Sequence, residues 1–508
     1  MHFTGNKIRK HNYRFIAFAL LITAWTSFFF GGIALCQQAK PLVADPIQTN
    51  AGLVSGSVIG EPGKEVRVYK GIPYAAPPVG DLRWKPPQPV TPWKGVKEAT
   101  QFTPWCTQLF PTMKWMGSIP ESGMSEDCLY LNVLTPAKTA NEKLPVMVWI
   151  HPGGLDAGSG NMPLFNTPAL PRHGVVLVTV VSRIGGMGYL VHPGMAAESP
   201  QHAAGNYGML DLIAALQWVK ANVAAFGGDP GCVTIFGQSG GAGKIVWLLA
   251  SPLAKGLFHR AIIEAGASAV GDTLIGTVGI VTKQAAAEKV GEKFATQLGA
   301  KNLAEFRAKS WQEIVKALPA PQVTGEFNVH SVVDGWSMPD TPFNMIMQGK
   351  GNDVPVLIGG GENEREVRRA ATLYALGFLK NKSNTYAYVF THVPANWKRS
   401  GMLAYHGEEL PYEFGDLPFI YGDWGTNVSD MYPKDPGLTQ DDETVSENYM
   451  RMWVQFARTG DPSVPGLIQA EPLRPGPGGD KYLEIGLHPR VRSGYFLGEP
   501  TVVTQVFE

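Results

Sequence analysis

The chain has 508 residues, of which 44% are hydrophobic and 17% are charged. That is an ordinary globular composition, and the length allows an extensive buried core. Because 43 basic and 43 acidic residues cancel, the formal charge argues against nucleic acid or an anionic surface as the partner. The 59 glycines and 40 prolines predict many loops, and the chain shows no internal repeat or low-complexity tract.

Residues 1–36 have the pattern of a secretory signal peptide. Basic residues precede an apolar run from Phe15 to Leu35, and the small residues Gly32 and Ala34 suit cleavage. The alternative is an uncleaved membrane anchor, since 21 apolar or weakly polar residues suffice to cross a bilayer. Both interpretations predict export. The protein is then secreted or periplasmic, or it is anchored on the exported side of a membrane.

Four apolar runs farther along the chain predict buried strands that end in glycine-rich or polar loops. In chain order they are Pro145–Ile150 before the loop His151–Ser159, Val233–Phe236 before a glycine-rich turn, Val354–Gly361 before a polar loop, and Thr385–Phe390. The segments of chemical interest are spread along the chain from His151 to His406. One large α/β domain with loop insertions therefore fits better than two independent domains.

The turn after Val233–Phe236 contains G-x-S-x-G, with Ser239 at its centre. Between a strand and a helix this pattern is the nucleophile elbow of an α/β-hydrolase, which exposes the serine hydroxyl above the sheet edge. Gly237 and Gly241 must then be small, so that neighbouring backbone can approach closely. A hydroxyl is a poor nucleophile until a base removes its proton, so the elbow predicts a histidine and an orienting carboxylate elsewhere.

The chain resembles the type-B carboxylesterases, which include the cholinesterases and the bacterial para-nitrobenzyl esterases. The matching stretches occur in family order: Gly71–Trp84, Ser125–Asn132, Gly205–Lys220, Ala225–Pro230 and Gly256–Ile262. With the later motifs they span the chain from about Gly52 to about Gly460. The resemblance implies one α/β-hydrolase catalytic domain over residues 45–508, with a mostly parallel central sheet flanked by helices, loop insertions and a shortened lid region.

The resemblance also implies the partners of Ser239. Tyr405–Gly415 resembles the family's histidine loop, which makes His406 the base. Glu364 matches the family's glutamate; its neighbours fit less well, because the family residue lies six positions after the isoleucine matched to Ile358. Those less suitable neighbours are Glu362 and Glu366. The order serine, glutamate, histidine is the α/β-hydrolase order of nucleophile, acid and base.

The loop His151–Ser159 corresponds to the H-G-G-G oxyanion loop of the family. The backbone N–H groups of Gly153, Gly154 and Gly240 are expected to point at the tetrahedral oxyanion. Pro152 stands where the family usually has glycine, and proline has no N–H. Because the family's donors are the second and third glycines, the hole is expected to survive with a stiffer loop. His151 is expected to be a structural hydrogen-bonding residue.

By the same resemblance, Cys106 and Cys128 form a disulfide, which an oxidising compartment lets persist. The family counterparts of Arg83 and Glu126 form a buried ion pair beside it. Two departures stand out. Ala265 replaces a serine whose hydroxyl supports the triad in the family, which should loosen the acid or the base without abolishing activity. The connection from Glu364 to His406 spans only 42 positions and is either a natural short lid or a deletion. It predicts a shallow, solvent-open cleft; the competing interpretation is that the lost residues leave Glu364 or His406 misplaced.

We therefore expect an exported serine carboxylesterase that uses an acyl-enzyme and needs no metal or organic cofactor. Lipase, lactonase, amidase or thioesterase activity would use the same atoms. A non-catalytic binding or adhesion protein of the neuroligin kind is the alternative from another class; those relatives lack the nucleophile, whereas this chain keeps Ser239. The expected partner is a small-molecule ester, with no nucleic acid, and a membrane only if the N-terminal segment is uncleaved. The sequence leaves open the oligomeric state and the physiological ester.

Overall fold

The computed structural model describes residues 42–109, 123–266, 282–318, 330–421 and 433–496. They lie in one compact unit, Lys40–Glu508. The predicted signal segment, residues 1–36, lies outside the described residues, so its role stays a prediction.

Eleven of the described strands form one main sheet. The strands in chain order are β1 (Ile47–Gln48), β2 (Leu53–Ser55), β3 (Ser57–Ile59), β4 (Val66–Pro73), β5 (Val96–Glu98), β6 (Trp105–Cys106), β7 (Met124–Ser125), β8 (Tyr130–Thr135), β9 (Leu144–Ile150), β10 (Val176–Val180), β11 (Gly228–Gln238), β12 (Arg260–Glu264), β13 (Thr282–Lys283), β14 (Val332–Val333), β15 (Val356–Gly361), β16 (Thr385–Phe390), β17 (Lys481–Ile485) and β18 (Arg490–Ser493). The main sheet has the order β18-β17-β16-β15-β12-β11-β9-β10-β8-β4-β3.

The centre of this sheet is parallel and its two edges are antiparallel. The six neighbouring pairs from β17 across to β10 are parallel, and the four outer pairs are antiparallel. Central strands buried on both faces read as continuous apolar runs, which is why β9, β15 and β16 could be found from sequence. The predicted mostly parallel sheet is confirmed.

Helices cover both faces of the sheet. In chain order they are α1 (Ala169–Arg172), α2 (Gly185–Tyr189), α3 (Pro193–Glu198), α4 (Tyr207–Asn222), α5 (Gly240–Ala250), α6 (Gln284–Gln297), α7 (Leu303–Arg307), α8 (Trp311–Ala317), α9 (Pro342–Met347), α10 (Arg365–Phe378), α11 (Ala395–Arg399), α12 (Leu410–Glu413) and α13 (Gln440–Thr459). Short 3-10 helices lie at Gly80–Leu82, Pro163–Asn166, Val223–Phe226, Pro252–Ala254 and Leu417–Tyr421.

The alternation of side chains along β9 divides the core in two. Val146 and Val148 point into one hydrophobic cluster, which includes residues of α4, α5 and α10. Met147 and Trp149 point into the other, which includes residues of α13. Successive residues of a strand face opposite sides of a sheet, so each cluster fills one face. Among the described residues, Tyr207–Phe226 is the one helical run apolar and long enough to cross a membrane, and 67% of its most apolar window is buried in this core.

The parallel strands β9, β11 and β15 bring the functional segments to one edge of the sheet. Their carboxyl ends lead into the glycine loop after Ile150, the turn at Ser239 and the loop before Glu364. In open α/β sheets the carboxyl ends of parallel strands are where ligands bind. The topology therefore places the candidate site at this edge.

Candidate active site

Ser239 occupies the turn between β11 and α5, where the G-x-S-x-G pattern predicts it. Its backbone has φ +54° and ψ −118°, a conformation that is strained for a non-glycine residue and must be held by its surroundings. The Ser239 N–H donates to the Glu264 carbonyl at 2.8 Å, and the Ser239 carbonyl accepts from the Gly243 N–H at 3.0 Å. Pairing of both backbone groups fixes the turn and therefore the direction of the hydroxyl.

The glycines of the turn are required by close backbone approach, as predicted. A Cβ on Gly237 or Gly241 would overlap the carbonyl oxygen of Ile150, the last residue of β9. A Cβ on Gly240 would overlap the backbone of Gly154. The backbone that approaches these glycines most closely is therefore that of β9 and of the loop after it. The start of α5 packs directly onto the end of β9.

His406 lies between Ser239 and Glu364. Its Nε2 is 2.8 Å from Ser239 Oγ, and its Nδ1 is hydrogen-bonded to Glu364 Oε1. The imidazole is 37% exposed, whereas the glutamate side chain is 5% exposed. A carboxylate on Nδ1 holds the tautomer whose Nε2 lone pair faces the hydroxyl. The structure therefore brings together the three residues that the sequence motifs selected.

Glu364 is the glutamate that contacts the histidine, rather than either neighbour. Its Oε2 accepts from the Gly361 N–H at 2.5 Å, so both carboxylate oxygens are engaged. Glu366 is exposed in the first turn of α10. Glu362 is half-buried, and its N–H donates to the carbonyl of Phe390 at 2.9 Å. The position six residues after Ile358 therefore identified the glutamate that contacts His406.

The loop after β9 presents backbone N–H groups beside the elbow. Gly153 has φ +104° and Gly154 has φ +65°, values that favour glycine. The N–H groups of Asp156 and Ala157 donate to the Gly153 carbonyl at 3.3 and 3.0 Å. Among the hydrogen bonds that join described residues, none uses the N–H of Gly153, Gly154 or Gly240. With respect to the described part of the chain, these three donors are available where the loop meets α5.

The same loop is held by His151 and by Gln108. His151 Nδ1 donates to the carbonyl of Pro152 at 2.8 Å, and burial holds the pKa of His151 well below its usual value. Gln108 makes two hydrogen bonds to the backbone of Gly158, at 2.8 and 3.1 Å. His151 is therefore a neutral structural residue, as expected from the sequence.

Residues 44–375 and 366–502 of the chain match the Carboxylesterase family. The chain belongs to this family. The two matched ranges overlap in residues 366–375, between Glu364 and His406.

Relatives of this carboxylesterase cover most of its length. Fumonisin B1 esterase of Sphingopyxis macrogoltabida is 30% identical over 86% of each chain. Liver carboxylesterase of Sus scrofa is 31% identical, over 85% of this chain and 87% of its own. A solved PNB esterase superposes with a TM-score of 0.75 at 27% identity, covering 91% of this chain and 99% of its own. The carboxylesterase is thus a carboxylic ester hydrolase on the α/β-hydrolase fold.

The disulfide and the ion pair of the carboxylesterase lie together. Cys106 and Cys128 are bonded. Arg83 Nε donates to Glu126 Oε1 at 2.6 Å, and the two side chains are only 9% and 12% exposed. Arg83 also donates to the carbonyl of Arg307 at 2.7 Å. The predicted buried ion pair is confirmed.

The sequence motifs missed a buried lysine beside the glycine loop. Lys244 is 0% exposed, and its amine donates to the carbonyl of His151 at 3.4 Å. Burial lowers the pKa of Lys244 to about 7, although attraction to Asp156 acts in the opposite direction. Burial raises the pKa of Asp156 to about 6, and attraction to Lys244 opposes this rise. A single lysine in an otherwise apolar helix was the available signal.

The sequence motifs also did not predict a group of three buried carboxyl groups near the triad. Glu264 Oε1 accepts from Trp453 Nε1 at 2.7 Å, and burial raises the pKa of Glu264 to about 7. Its carboxyl group lies within hydrogen-bonding reach of Glu413, which requires a proton on one of them. Burial holds the pKa of Glu409 and of Glu413 well above the usual value. Within the described ranges, no group of three or more His, Cys, Asp and Glu side chains is placed to hold a metal ion.

Proposed function

We propose that this carboxylesterase hydrolyses esters through an acyl-enzyme formed on Ser239, with His406 as general base and acid and Glu364 as the orienting carboxylate. The observation that carries the proposal is the position of His406, whose two ring nitrogens contact the hydroxyl and the carboxylate. A serine becomes a competent nucleophile when such a base lies within hydrogen-bonding distance.

In the first half-reaction, Ser239 Oγ attacks the ester carbonyl carbon while its proton passes to His406 Nε2. The tetrahedral intermediate collapses, the bond to the alcohol oxygen breaks, and His406 returns the proton to that oxygen as the alcohol leaves. Water then attacks the acyl-enzyme in the same way, with His406 first accepting and then donating a proton. Glu364 stabilises the imidazolium that forms twice in this cycle.

In this proposal, the N–H groups of Gly153, Gly154 and Gly240 stabilise the negative charge on the tetrahedral oxygen by donating hydrogen bonds to it. The free donors of the loop and the contact between Gly240 and Gly154 support this role. Donors fixed in advance stabilise developing charge without reorganising during the reaction. Removing one such donor typically costs about 100- to 1000-fold in kcat.

The substrate is proposed to be a small-molecule ester with little restriction on its size. The relatives named for fumonisin B1 and for liver are about equally similar to the chain, so their names do not choose one ester. The 37% exposure of the His406 side chain and the short connection before it favour an open cleft. A panel of para-nitrophenyl esters of graded acyl length, with one bulky aryl ester, measures this preference directly.

Export is part of the same proposal. The bonded pair Cys106 and Cys128 supports it, because disulfides form and persist in oxidising compartments. Mass spectrometry of the N-terminus of the purified protein from the exporting cell tests the predicted cleavage near residue 36. An intact N-terminus in the membrane fraction would support the anchor instead.

The replacement Ser239→Ala tests the central assignment. We expect loss of ester hydrolysis by at least about 1000-fold and loss of covalent labelling by a fluorophosphonate, because both reactions need the Oγ nucleophile. The melting temperature should stay close to that of the wild type.

Ser400→Ala is the matched control, since Ser400 is an exposed serine at the end of α11. It should keep both activity and labelling. A Ser239→Ala protein that still turns over ester and still labels would show that another residue is the nucleophile.

A further inference from the structure

Lys244 lies in a fully buried position, where a charged lysine is unfavourable in free energy. It is fully buried in α5, whose other residues are glycine or apolar. A buried ammonium group loses its hydration and needs compensating contacts. The neighbours of this side chain should therefore show what compensates the burial.

The side chain of Lys244 shares a helix face with the glycines of the elbow. Positions three and four apart on a helix lie on the same side, so Lys244 follows Gly240 and Gly241 along α5. Those glycines contact Gly154 and the end of β9. The amine of Lys244 reaches the next carbonyl along, that of His151, at 3.4 Å. The lysine thus contacts the first residue of the glycine loop.

Asp156 provides the second connection. It follows the two glycines in the same loop, and its carboxylate is the opposite charge that acts on Lys244. Lys244 therefore contacts the loop before Gly153 and Gly154 and, at a distance beyond a direct ion pair, attracts Asp156 after them. Those glycines have positive φ angles, and glycine is the most flexible residue type. Pro152 has no N–H that could form a hydrogen bond to hold its end of the loop.

We propose that Lys244 is a positioning residue of the oxyanion hole, which fixes the loop 151–156 against the nucleophile helix by contacting the His151 carbonyl and attracting Asp156. This inference rests on the function proposed above. The lysine does not touch the substrate. It keeps the Gly153 and Gly154 donors in register with the Gly240 donor, so that all three meet the same oxygen.

The expected effect is on kcat rather than on KM. A loose loop weakens contacts made to the oxyanion in the transition state, while the ground-state ester is bound nearly as before. Lys244→Met keeps the length of the side chain and removes its charge. It should lower kcat by about 10- to 100-fold, less than the loss of an entire donor, with KM changed by less than about threefold. Affinity for an aryl trifluoromethyl ketone, which forms a tetrahedral oxyanion on the serine, should fall in parallel with kcat/KM.

Asp156→Asn is the second variant, because Asp156 is half-buried in a loop and its replacement threatens the fold less than a change in α5. It should lower kcat in the same direction. The double variant should lose little more than Lys244→Met alone, since residues that act together are not additive. If Lys244→Met does not fold, the kcat of Asp156→Asn decides: a lowered value supports the inference, and a wild-type value overturns it.

Ile245→Val is the control for packing, since Ile245 is buried in the same helix. It should leave kcat and ketone affinity within about threefold of the wild type. Folded Lys244→Met with wild-type kcat and ketone affinity would overturn the inference while leaving the triad intact. An active Ser239→Ala protein, measured in the same assay, would instead overturn the proposed function.

Discussion

Two groups of buried ionisable side chains lie near the triad, and they differ in composition. Beside the glycine loop, Lys244 and Asp156 are opposite charges that attract each other. Behind the triad, Glu264, Glu409 and Glu413 are like charges. An opposite pair can stay ionised in a buried place, whereas like groups at close range must bind protons. The first arrangement holds a loop by attraction, and the second makes the region behind the triad sensitive to alkaline pH.

The largest effect on stability is expected from a substitution that breaks a buried ion pair. Arg83→Ala leaves Glu126 without its partner in a place where both side chains are nearly buried. It also removes donors to two backbone carbonyls. We expect the free energy of unfolding to fall by about 3–5 kcal/mol, as is typical for stranding a buried charge.

Urea unfolding of the wild type, Arg83→Ala and Glu126→Gln measures this prediction. Glu126→Gln keeps an acceptor for Arg83 and should be the milder change. Equal unfolding midpoints for all three proteins would show that the pair contributes nothing in solution.

An intermediate effect, of the opposite sign, is expected where a buried carboxyl group is replaced by a neutral side chain. The folded-state pKa of Glu264 is raised to about 7, above the value of about 4.3 for an unfolded glutamate. The folded protein therefore binds more protons between these values, and its stability falls as the pH rises through them. Glu264→Gln stays neutral and can still accept from Trp453. It should be more stable than the wild type by about 1–3 kcal/mol at pH 8, with the gain vanishing near pH 4.

Thermal melts of the wild type and Glu264→Gln from pH 4 to pH 8 follow this gain. The control is Glu443→Gln, since Glu443 is exposed at the start of α13, and its melting curve should follow the wild type at every pH. If Glu264→Gln melted below the wild type at pH 8, the ionised carboxylate would be a stabilising group, and burial would not be what destabilises it.

The sequence predicted what depends on local pattern and missed what depends on long-range packing. The elbow at Ser239 and the strands β9, β15 and β16 follow from short apolar runs and glycines. Glu364 followed from its phase relative to Ile358. The partners of Lys244 did not, because periodicity places a side chain on a helix face but does not show which carbonyl it meets. The contact of Glu264 with Trp453 likewise joins β12 to a helix far along the chain.

Two predictions, one about Ala265 and one about the open cleft, stay predictions. Replacement of the family serine by Ala265 was expected to loosen the acid or the base. The Glu264 carboxylate is bonded to Trp453 rather than to the triad. The open cleft also stays a prediction, since residues 110–122, 267–281, 319–329 and 422–432 lie outside the described residues.

The smallest effect on stability is expected from a substitution that breaks an exposed ion pair. Arg490 Nε donates to Glu484 Oε1 at 2.7 Å, much as Arg83 does to Glu126, but the arginine side chain is 59% exposed. Water already solvates this guanidinium, and Arg492 remains on the other carboxylate oxygen at 2.9 Å. Arg490→Ala should therefore change the free energy of unfolding by less than about 1 kcal/mol, and 0.5 M NaCl should reduce even that change. Urea unfolding beside Arg83→Ala compares the same chemistry at two depths. A loss as large as that of Arg83→Ala would mean that burial does not determine the strength of these pairs, and the contrast between the protein's charged regions would have to be explained by geometry alone.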